Sequence, residues 1–251
     1  MSDFPDHFSD RAAEYARFRP RYPAKLFTYL ASLVAPRTTA WDCATGSGQA
    51  ALALAEHFAR VFATDASAEQ LAHARPHPKV EYRIAAAERS GLDSASVDLI
   101  TVAQALHWFD IPAFFVEARR VLRPGGVLAV WCYRRLEIVG GALRGALDRF
   151  YSETVGPYWP KERHLVEDGY RALDFPFPEL SAPAFAMEAR MSLEALIGYL
   201  GTWSATQGYV RATGQDPLPA FMRELMRHWT RPNEPRSVRW PLALRVGQIR
   251  P

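Results

Sequence analysis

Hydrophobic and polar positions follow a regular alternation in the middle of the chain. Short, almost continuous apolar runs predict buried strands, and the amphipathic stretches between them predict helices. Strands are predicted at residues 39–43, 60–65, 80–85, 97–103 and 127–132. Helices are predicted to begin near Gln49, Ser67 and Pro112. Strands that alternate with helices form parallel sheets, so this pattern predicts a doubly wound α/β sheet.

The pattern is less regular on both sides of this region. A helix is predicted to begin at Pro23, and the RPGG segment at 123–126 predicts a tight turn into the fifth strand. Residues 134–183 are rich in aromatic residues, glycine and proline, with helical periodicity only around 142–151. Beyond them, the pattern predicts strands at 184–189 and 238–246 and helices at 193–200 and 219–229.

Composition narrows the class of protein. The chain has 251 residues, of which 49% are hydrophobic and 23% charged, as in globular proteins. The polar start MSDFPDHFSD has no apolar segment of the secretory kind, and no apolar run is long enough to span a membrane. Two cysteines, Cys43 and Cys132, are too few for a disulfide framework. We therefore expect a cytoplasmic protein, and a net charge of +3 does not suggest a nucleic-acid partner.

The segment AWDCATGSG at 40–48 joins the first strand to a helix and carries the most informative chemistry. Its glycines would let backbone amides approach a ligand at the carboxyl ends of the strands, where open α/β sheets bind their ligands. Asp65 ends the second strand, where a carboxylate can accept from both hydroxyls of a ribose. Together these features indicate an adenosine-containing ligand. Because GSGQAA also matches G-x-G-x-x-A, a nicotinamide cofactor stays open at this point.

Further residues distinguish the two ligands. Asp42 would repel a pyrophosphate but suits an ammonium, and Glu88 after the third strand could accept from an adenine amino group. QALHWFD follows the fourth strand and LRPGG precedes the fifth. In this order the motifs resemble the class I S-adenosylmethionine-dependent methyltransferases. More narrowly, they resemble the methyltransferase type 11 group that includes trans-aconitate-methyltransferase-like proteins.

The resemblance covers roughly residues 8–132, with a looser match at the C-terminal end. It implies a Rossmann-like, doubly wound seven-stranded sheet, mostly parallel with an antiparallel C-terminal strand, and an inserted helical and aromatic lid. A single domain of residues 1–251 would then comprise a cofactor-covering segment and helix (8–36), a cofactor-binding core (39–132), a substrate lid (134–183) and strands and helices that complete the sheet (184–251).

The resemblance also assigns S-adenosylmethionine as the cofactor and implies the residues that bind it. Residues 42–48 would cradle the methionyl group, Gln104 would lie beneath it, and Asp65 would hold the ribose. The full set is Tyr15, Arg19, Asp42, Ala44, Thr45, Gly46, Gly48, Asp65, Ala66, Ala87, Glu88 and Gln104. Ala44 stands where the family usually has glycine, so this turn is expected either to avoid positive φ or to be strained.

The acceptor site is less defined by the sequence. His107 lies just past the fourth strand and is the candidate general base, although His107 and Trp108 could instead only pack there. Tyr158, Trp159 and Arg163 are expected to bind the acceptor, unless these aromatics form a satellite core. Arg163, His164 and Arg171 would suit a carboxylate. No metal site is expected.

These observations predict S-adenosylmethionine-dependent methyl transfer to a small-molecule acceptor, with no nucleic-acid or membrane partner. Two alternatives stay open: an NAD(P)-dependent oxidoreductase, and a protein that binds S-adenosylmethionine without catalysis. The strand order 3-2-1-4-5 expected from the resemblance would separate Cys43 from Cys132 by roughly 10 Å, too far for a disulfide, so both thiols are expected to be free.

Overall fold

The structure is a computed structural model that describes residues 20–229 and 231–250. The chain forms two compact units, which are described separately below. The core unit consists of Tyr22–Arg134, His164–Ala186 and Pro241–Pro251. The second unit contains Arg135–Arg163 and Met187–Trp240. Tyr15 and Arg19, with the rest of residues 8–19 of the expected cofactor-covering segment, lie outside the described residues.

The core unit alternates strands and helices in the predicted order. Most of the helices lie where the hydrophobic periodicity predicts them. Two helices begin at a side-chain cap: Ser67 accepts a hydrogen bond from the Gln70 amide, and Asp110 accepts one from the Ala113 amide. The elements are α1 (Ala24–Ser32), β1 (Thr39–Cys43), α2 (Gln49–Ala55), β2 (Arg60–Asp65), α3 (Ala68–Ala72), β3 (Val80–Ile84), β4 (Val97–Ala103), a 3₁₀ turn (Leu106–Trp108), α4 (Ile111–Val121) and β5 (Leu122–Tyr133).

The sheet of the core unit has the strand order β3-β2-β1-β4-β5, all parallel. Alternate residues of each strand face opposite sides, as the pleat requires. Trp41 and Ile100 belong to the apolar cluster that includes α4, whereas Ala40 and Leu99 belong to the cluster that includes α1 and α2. Both faces of the parallel sheet are therefore covered, which places a ligand site at the carboxyl ends of the strands.

The RPGG segment differs from the prediction of a tight turn before the fifth strand. β5 already begins at Leu122, and its residues 123–126 bulge out of the pairing with β4. Val97 pairs with Leu122 and Leu99 with Val127, while Gly125 takes the positive φ of 75° that the bulge requires. The segment thus interrupts a strand instead of preceding one.

Strand order confirms the prediction for the cysteines. β4 lies between β1, which carries Cys43, and β5, which carries Cys132, and the two cysteines are buried and form no disulfide.

The second unit is mainly helical and aromatic. Phe150 stacks on Phe221 with 4.2 Å between ring centroids, and Trp203 lies beside Tyr151 and Trp159, each at 5.5 Å. Its elements are β6 (Glu137–Ile138), α5 (Gly141–Arg149), a π turn (Phe150–Thr154), a 3₁₀ turn (Gly156–Tyr158), most of β7 (Ala186–Met191), α7 (Leu193–Gly201), α8 (Ser204–Thr213) and α9 (Leu218–Met226). The helix α6 (Arg163–Asp168) begins in this unit and continues in the core unit.

The last strand, β8 (Arg236–Gln248), is shared by the two units along its length. From Leu242 onwards it pairs antiparallel with β5, and earlier residues pair with β6. β7 also pairs with β8. The predicted fold class, a mostly parallel sheet with an antiparallel C-terminal strand, is confirmed. Among the described residues the sheet has eight strands, not seven, because the short β6 and β7 both join β8.

The two units divide the residues expected to form the substrate lid. Within residues 134–183, Arg135–Arg163 packs with Met187–Trp240, while His164–Ala186 belongs to the core unit. The aromatic core just described joins the π turn after α5 and Trp159 to Trp203 and α9. The expected domain layout stays a prediction. No helix among the described residues is long and apolar enough to cross a membrane.

Candidate functional site

Asp42, near the end of β1, is the most buried acidic residue of the candidate site. Only 1% of its surface is exposed. One carboxylate oxygen accepts from the Thr45 hydroxyl at 2.6 Å and the other from the Thr101 hydroxyl at 2.8 Å. Thr101 lies on β4, which pairs with β1. Two neighbouring strands and the loop after β1 therefore fix the position of this carboxylate.

Asp65, at the end of β2, holds the loop that follows β1. Its Oδ2 accepts from the Gly46 amide at 2.8 Å, and its Oδ1 accepts from the Ser67 amide at 2.9 Å. The Thr45 amide donates to the carbonyl of Thr64, one residue earlier. A carboxylate oxygen has two lone pairs, so each oxygen of Asp65 can accept more than one hydrogen bond.

The glycine-bearing loop depends on backbone conformations that side chains disfavour. Gly46 and Gly48 have φ values of 56° and 84°, and a Cβ on Gly48 would collide with the ring of Tyr82. Ala44 also has a positive φ, 53°. The turn at Ala44 was expected either to avoid positive φ or to be strained, and it is strained. A positive φ costs a residue with a side chain about 1–2 kcal/mol. The loop keeps this conformation because Asp65 and Thr64 bind its amides.

Ala66, Ala87 and Glu88 occupy the ends of β2 and β3, as predicted. Ala66 is exposed and Ala87 is buried. Glu88 is half-buried, and its Oε1 accepts from the amide of Asp110 at 2.9 Å, the residue that caps α4. This bond orients the Glu88 carboxylate and leaves acceptor capacity for a ligand amino group.

Negative charge converges at the carboxyl ends of β1, β2 and β3. The pKa of Asp42 is raised from 3.8 to about 6, mainly by burial and to a smaller extent by the nearby charge of Asp65. Burial also raises the pKa of the Cys43 thiol, with added repulsion from Asp42, Glu88 and Asp65. Because three carboxylates lie close enough to Cys43 to raise its pKa, a cation bound near them would be favoured and would lower the pKa of Asp42.

Gln104 and His107 follow β4 at the same edge of the sheet. Gln104 has a φ of 58°, and its side-chain oxygen accepts from the Tyr133 amide at 2.8 Å, which ties the end of β4 to β5. His107 is buried, with 9% of its surface exposed. Its ring lies 4.8 Å from that of Trp108, and its Nδ1 lies 2.9 Å from the hydroxyl oxygen of Tyr170.

The predicted acceptor residues Tyr158, Trp159 and Arg163 all belong to the second unit. Tyr158 packs on Tyr209, and the Trp159 ring packs on Tyr151 at 4.9 Å. The Arg163 guanidinium lies over the Trp159 ring at 4.5 Å and donates to the Tyr151 hydroxyl at 3.1 Å. The aromatics thus form a satellite core in that unit, with the cation of Arg163 at its side.

Three residues that bear on the site are absent from the sequence-based set. Thr101 fixes Asp42, Tyr82 contacts Gly48, and Tyr170 contacts His107. A polar residue inside the apolar run of β4 was a signal for Thr101. Tyr170 is 63 residues from His107 along the chain, and no local pattern links them.

The core-unit residues fit a ligand that combines an ammonium, a ribose and an adenine. Asp42 is a buried carboxylate whose raised pKa marks a place for a cation, and Asp65 lies at the end of the neighbouring strand. Gly48 leaves room where a Cβ would not fit. Among the described residues, no group of three or more His, Cys, Asp or Glu side chains is arranged to hold a metal ion.

Comparisons with known proteins show similarity to methyltransferases. A family model described as a methyltransferase domain matches residues 41–130. A Dictyostelium discoideum protein named as a methyltransferase is 36% identical over 227 residues, covering 89% of this chain and 86% of its own. A Saccharomyces cerevisiae protein named as an S-adenosylmethionine-dependent methyltransferase is 24% identical over 270 residues, covering 91% of this chain and 92% of its own.

A solved structure supports the same conclusion. The structure described as a type II methyltransferase from Anaeromyxobacter dehalogenans is 47% identical to this chain. It superposes with a TM-score of 0.88 and covers 93% of this chain and 99% of its own. The similarity therefore extends over both units and is not confined to the cofactor-binding strands.

Proposed function

Because this chain belongs to the methyltransferase family, as a class I S-adenosylmethionine-dependent enzyme, we propose that it methylates a small molecule that carries a carboxylate. Family membership decides against the nicotinamide alternative and the alternative of binding without catalysis. The narrower resemblance to trans-aconitate-methyltransferase-like proteins stays a prediction. The two buried cysteines form no disulfide, which is consistent with a reducing, cytoplasmic setting.

In this proposal the core unit holds the cofactor. Asp42 would accept from the ammonium of the methionyl group, Asp65 from the ribose hydroxyls and Glu88 from the adenine amino group. Amides of the loop at 44–48 would approach the methionyl group, and Gln104 would lie beneath it. The cofactor supplies a methyl group already activated on a sulfonium, so the contribution of the protein is mainly alignment of donor and acceptor, which can be worth roughly 7–11 kcal/mol.

Two arginines of the second unit support an anionic acceptor. Arg163 donates to the hydroxyl of Tyr151, and the guanidinium of Arg135 lies 3.7 Å from the centre of the same ring. Tyr151 is buried, so it holds both cations at one place. Arginine guanidinium groups match the geometry of a carboxylate. Arg171 does not contribute, since it is mostly exposed and pairs with Asp168.

A carboxylate acceptor also agrees with the chemistry available in the core unit. A carboxylate is ionised at neutral pH and attacks without losing a proton, whereas a hydroxyl acceptor needs a general base. The pair of arginines on Tyr151 is the single observation that carries the choice of acceptor class.

The test is a product assay. The enzyme would be incubated with S-adenosylmethionine and a panel of small carboxylic acids, their amides and the corresponding alcohols, and S-adenosylhomocysteine would be measured. Turnover with acids alone is expected. Arg163→Gln should raise KM for the acid about tenfold or more, with Arg163→Lys between it and wild type. The matched control Arg171→Gln should have no effect. Turnover with amides or alcohols and not with acids would contradict the proposal.

A further inference from the structure

Residues 85–96, which join β3 to β4, run as turns and irregular chain. The segment begins with a turn in which the Arg89 amide donates to the carbonyl of Ala86 at 3.1 Å. The two residues between them are Ala87 and Glu88, both proposed for the adenine. The position of this turn therefore determines where the Glu88 carboxylate lies.

The helix α4 and its cap supply contacts that hold this segment. Asp110, Glu117 and Arg120 follow one another at intervals of seven and three residues, which places them along one side of a helix with 3.6 residues per turn. The Asp110 amide donates to the Glu88 carboxylate at 2.9 Å, and the Arg120 guanidinium donates to the carbonyl of Leu92 at 2.7 Å. Glu117 lies between these two contacts along the helix.

Glu117 is the most buried member of this row, with 7% of its surface exposed. Its Oε1 accepts from the Ser90 amide at 2.9 Å and from the Ser90 hydroxyl at 2.5 Å. Ser90 is itself buried and lies two residues after Glu88. Because a buried amide and a buried hydroxyl both require an acceptor, Glu117 fixes the chain directly after the turn.

The Glu117 carboxylate is held in its ionised form. Arg120 donates to both of its oxygens, at 2.7 and 2.8 Å. The bonds from Arg120, followed by those from Ser90, lower the pKa of Glu117 from 4.5 to about 2 although burial opposes this shift. An ionised carboxylate accepts stronger hydrogen bonds than a neutral oxygen, so the hold on Ser90 is strong at neutral pH.

We infer that Glu117 is a positioning residue for adenine recognition: through Ser90 it holds the turn at 86–89 in the place where the Glu88 carboxylate accepts from the adenine amino group. The inference rests on the proposed function, since it takes Glu88 to face the adenine of S-adenosylmethionine. Glu117 acts without touching the cofactor, because Ser90 and the turn lie between them along the chain. The helix α4 thus covers the sheet and also sets the position of the adenine-binding acid.

The test measures discrimination between two nucleosides. S-Inosylhomocysteine carries a carbonyl where S-adenosylhomocysteine carries its amino group, so it presents an acceptor to Glu88 instead of a donor. Calorimetry on the wild-type enzyme should give an affinity for S-adenosylhomocysteine at least about tenfold higher, as expected for a hydrogen bond to a charged group. Glu88→Gln should remove most of this difference, because an amide can donate to the carbonyl.

Two substitutions of Glu117 separate positioning from stability. Glu117→Ala should lower the discrimination about three- to tenfold, since Ser90 loses its acceptor and the turn is released. Glu117→Gln keeps an oxygen for Ser90 but loses the ion pair with Arg120. It should therefore lose stability while its discrimination stays within about twofold of wild type. In the Glu88→Gln background, Glu117→Ala should not change the discrimination further, because the two residues act through one contact with the adenine.

Asp98→Ala is the matched control. Asp98 is also buried, accepts from two backbone amides and pairs with an arginine, Arg123, but it lies near the amino end of β4. Its loss should lower stability and leave the discrimination unchanged. A residue with a merely structural role would behave in this way.

A folded Glu117→Ala protein with the discrimination of wild type would overturn the inference. If that variant does not fold, Ser90→Ala decides, because it removes only the hydroxyl; it should lower the discrimination about threefold, and no change would overturn the inference equally. A wild-type enzyme that binds the two nucleosides equally would overturn the role of Glu88 and the inference with it. A wild-type enzyme that binds neither would instead overturn the proposed function.

Discussion

The core unit and the second unit hold their central side chains by different means. In the core unit, carboxylates at the strand ends bind backbone amides and threonine hydroxyls, as Asp42 and Asp65 do. In the second unit, aromatic rings pack on one another and arginines lie against them, as Arg135 and Arg163 do on Tyr151. The core unit is thus built to fix charge in a defined place, and the second unit to present cations on an apolar surface.

This difference indicates that the core unit binds the cofactor and the second unit recognises the acceptor. Carboxylates held in fixed positions suit the cofactor, because its structure does not vary. A cation on an aromatic cluster suits an acceptor that is recognised by its charge. Substitutions in the core unit are therefore expected to lower cofactor affinity. Substitutions in the second unit are expected to leave cofactor affinity unchanged.

Phe221→Ala gives the largest expected effect and tests the independence of the two units. The Phe221 ring is buried against Phe150 in the second unit, so its loss should cost about 3–5 kcal/mol of the free energy of unfolding, measured with denaturant. Calorimetry should give an S-adenosylhomocysteine affinity within about twofold of wild type. Phe114→Ala, equally buried but packed on Trp41 beside Asp42, should lower both stability and affinity. A folded Phe221→Ala protein with strongly reduced affinity would show that the second unit does affect cofactor binding.

Asp42→Asn separates stability from binding within the core unit. Without the carboxylate, S-adenosylhomocysteine affinity should fall by about 3 kcal/mol, over a hundredfold. Asp98→Asn is the matched control, because Asp98 is also buried but pairs with Arg123 and binds the amides of Thr38 and Thr39 at the start of β1. That variant should lose stability and keep its affinity. If Asp98→Asn lost affinity and Asp42→Asn kept it, the cofactor would bind at the other end of the strands.

The raised pKa of Asp42 also predicts a pH dependence. The folded-state pKa of about 6 exceeds the ordinary value of 3.8, so the contribution of Asp42 to stability is full below about pH 4 and is lost as the pH rises through 6. Asp42→Asn should therefore be more stable than wild type at pH 7.5, by up to about 3 kcal/mol. Wild-type affinity for S-adenosylhomocysteine should fall below pH 6, where Asp42 takes up a proton. A flat affinity profile between pH 5 and 7 would contradict this.

Asp65→Ala should weaken S-adenosylhomocysteine binding by about 1.5–3 kcal/mol, because it removes charge-assisted bonds to the ribose and releases the Gly46 amide. Ser67→Ala is the control in the same turn. It removes only the cap of α3, which should cost about 1 kcal/mol of stability and no affinity. Calorimetry that finds unchanged affinity in folded Asp65→Ala would refute the ribose assignment.

Ala44→Gly has the smallest expected effect, which is an increase in stability. Glycine relieves the positive φ of 53° but has more freedom in the unfolded chain, so a net increase of about 0.5–1 kcal/mol in stability is expected. Ala66→Gly, at a neighbouring strand end without positive φ, should be destabilising. If both substitutions destabilise the protein equally in thermal unfolding, the strain at Ala44 is absent.

The core unit was largely predictable from the sequence because its signals are local. The apolar runs of β1 to β4, the cap at Ser67 and the placement of Asp42 and Asp65 at strand ends all follow from neighbouring residues. The RPGG bulge could not be placed, since a bulge depends on the register of β4 against β5.

The second unit was less predictable because long-range contacts form it. α8 was missed because its sequence, SATQGYVRAT, contains weak helix formers and has no side-chain cap at Trp203. Thr206 and Gln207 stabilise the start of this helix by donating to the carbonyls of Leu200 and Gly201. The boundary at Arg163 has no marker in composition either, since α6 runs across it.

Hydrogen exchange with and without S-adenosylhomocysteine tests most directly the claim that the strand ends of the core unit carry the cofactor site. Amides that belong to ordered contacts with a ligand exchange more slowly when it binds. The account predicts slower exchange at residues 44–48, 65–67 and 86–89, with little change in α7 and α9 of the second unit. Protection concentrated in α7 and α9, with none in the loop after β1, would contradict it.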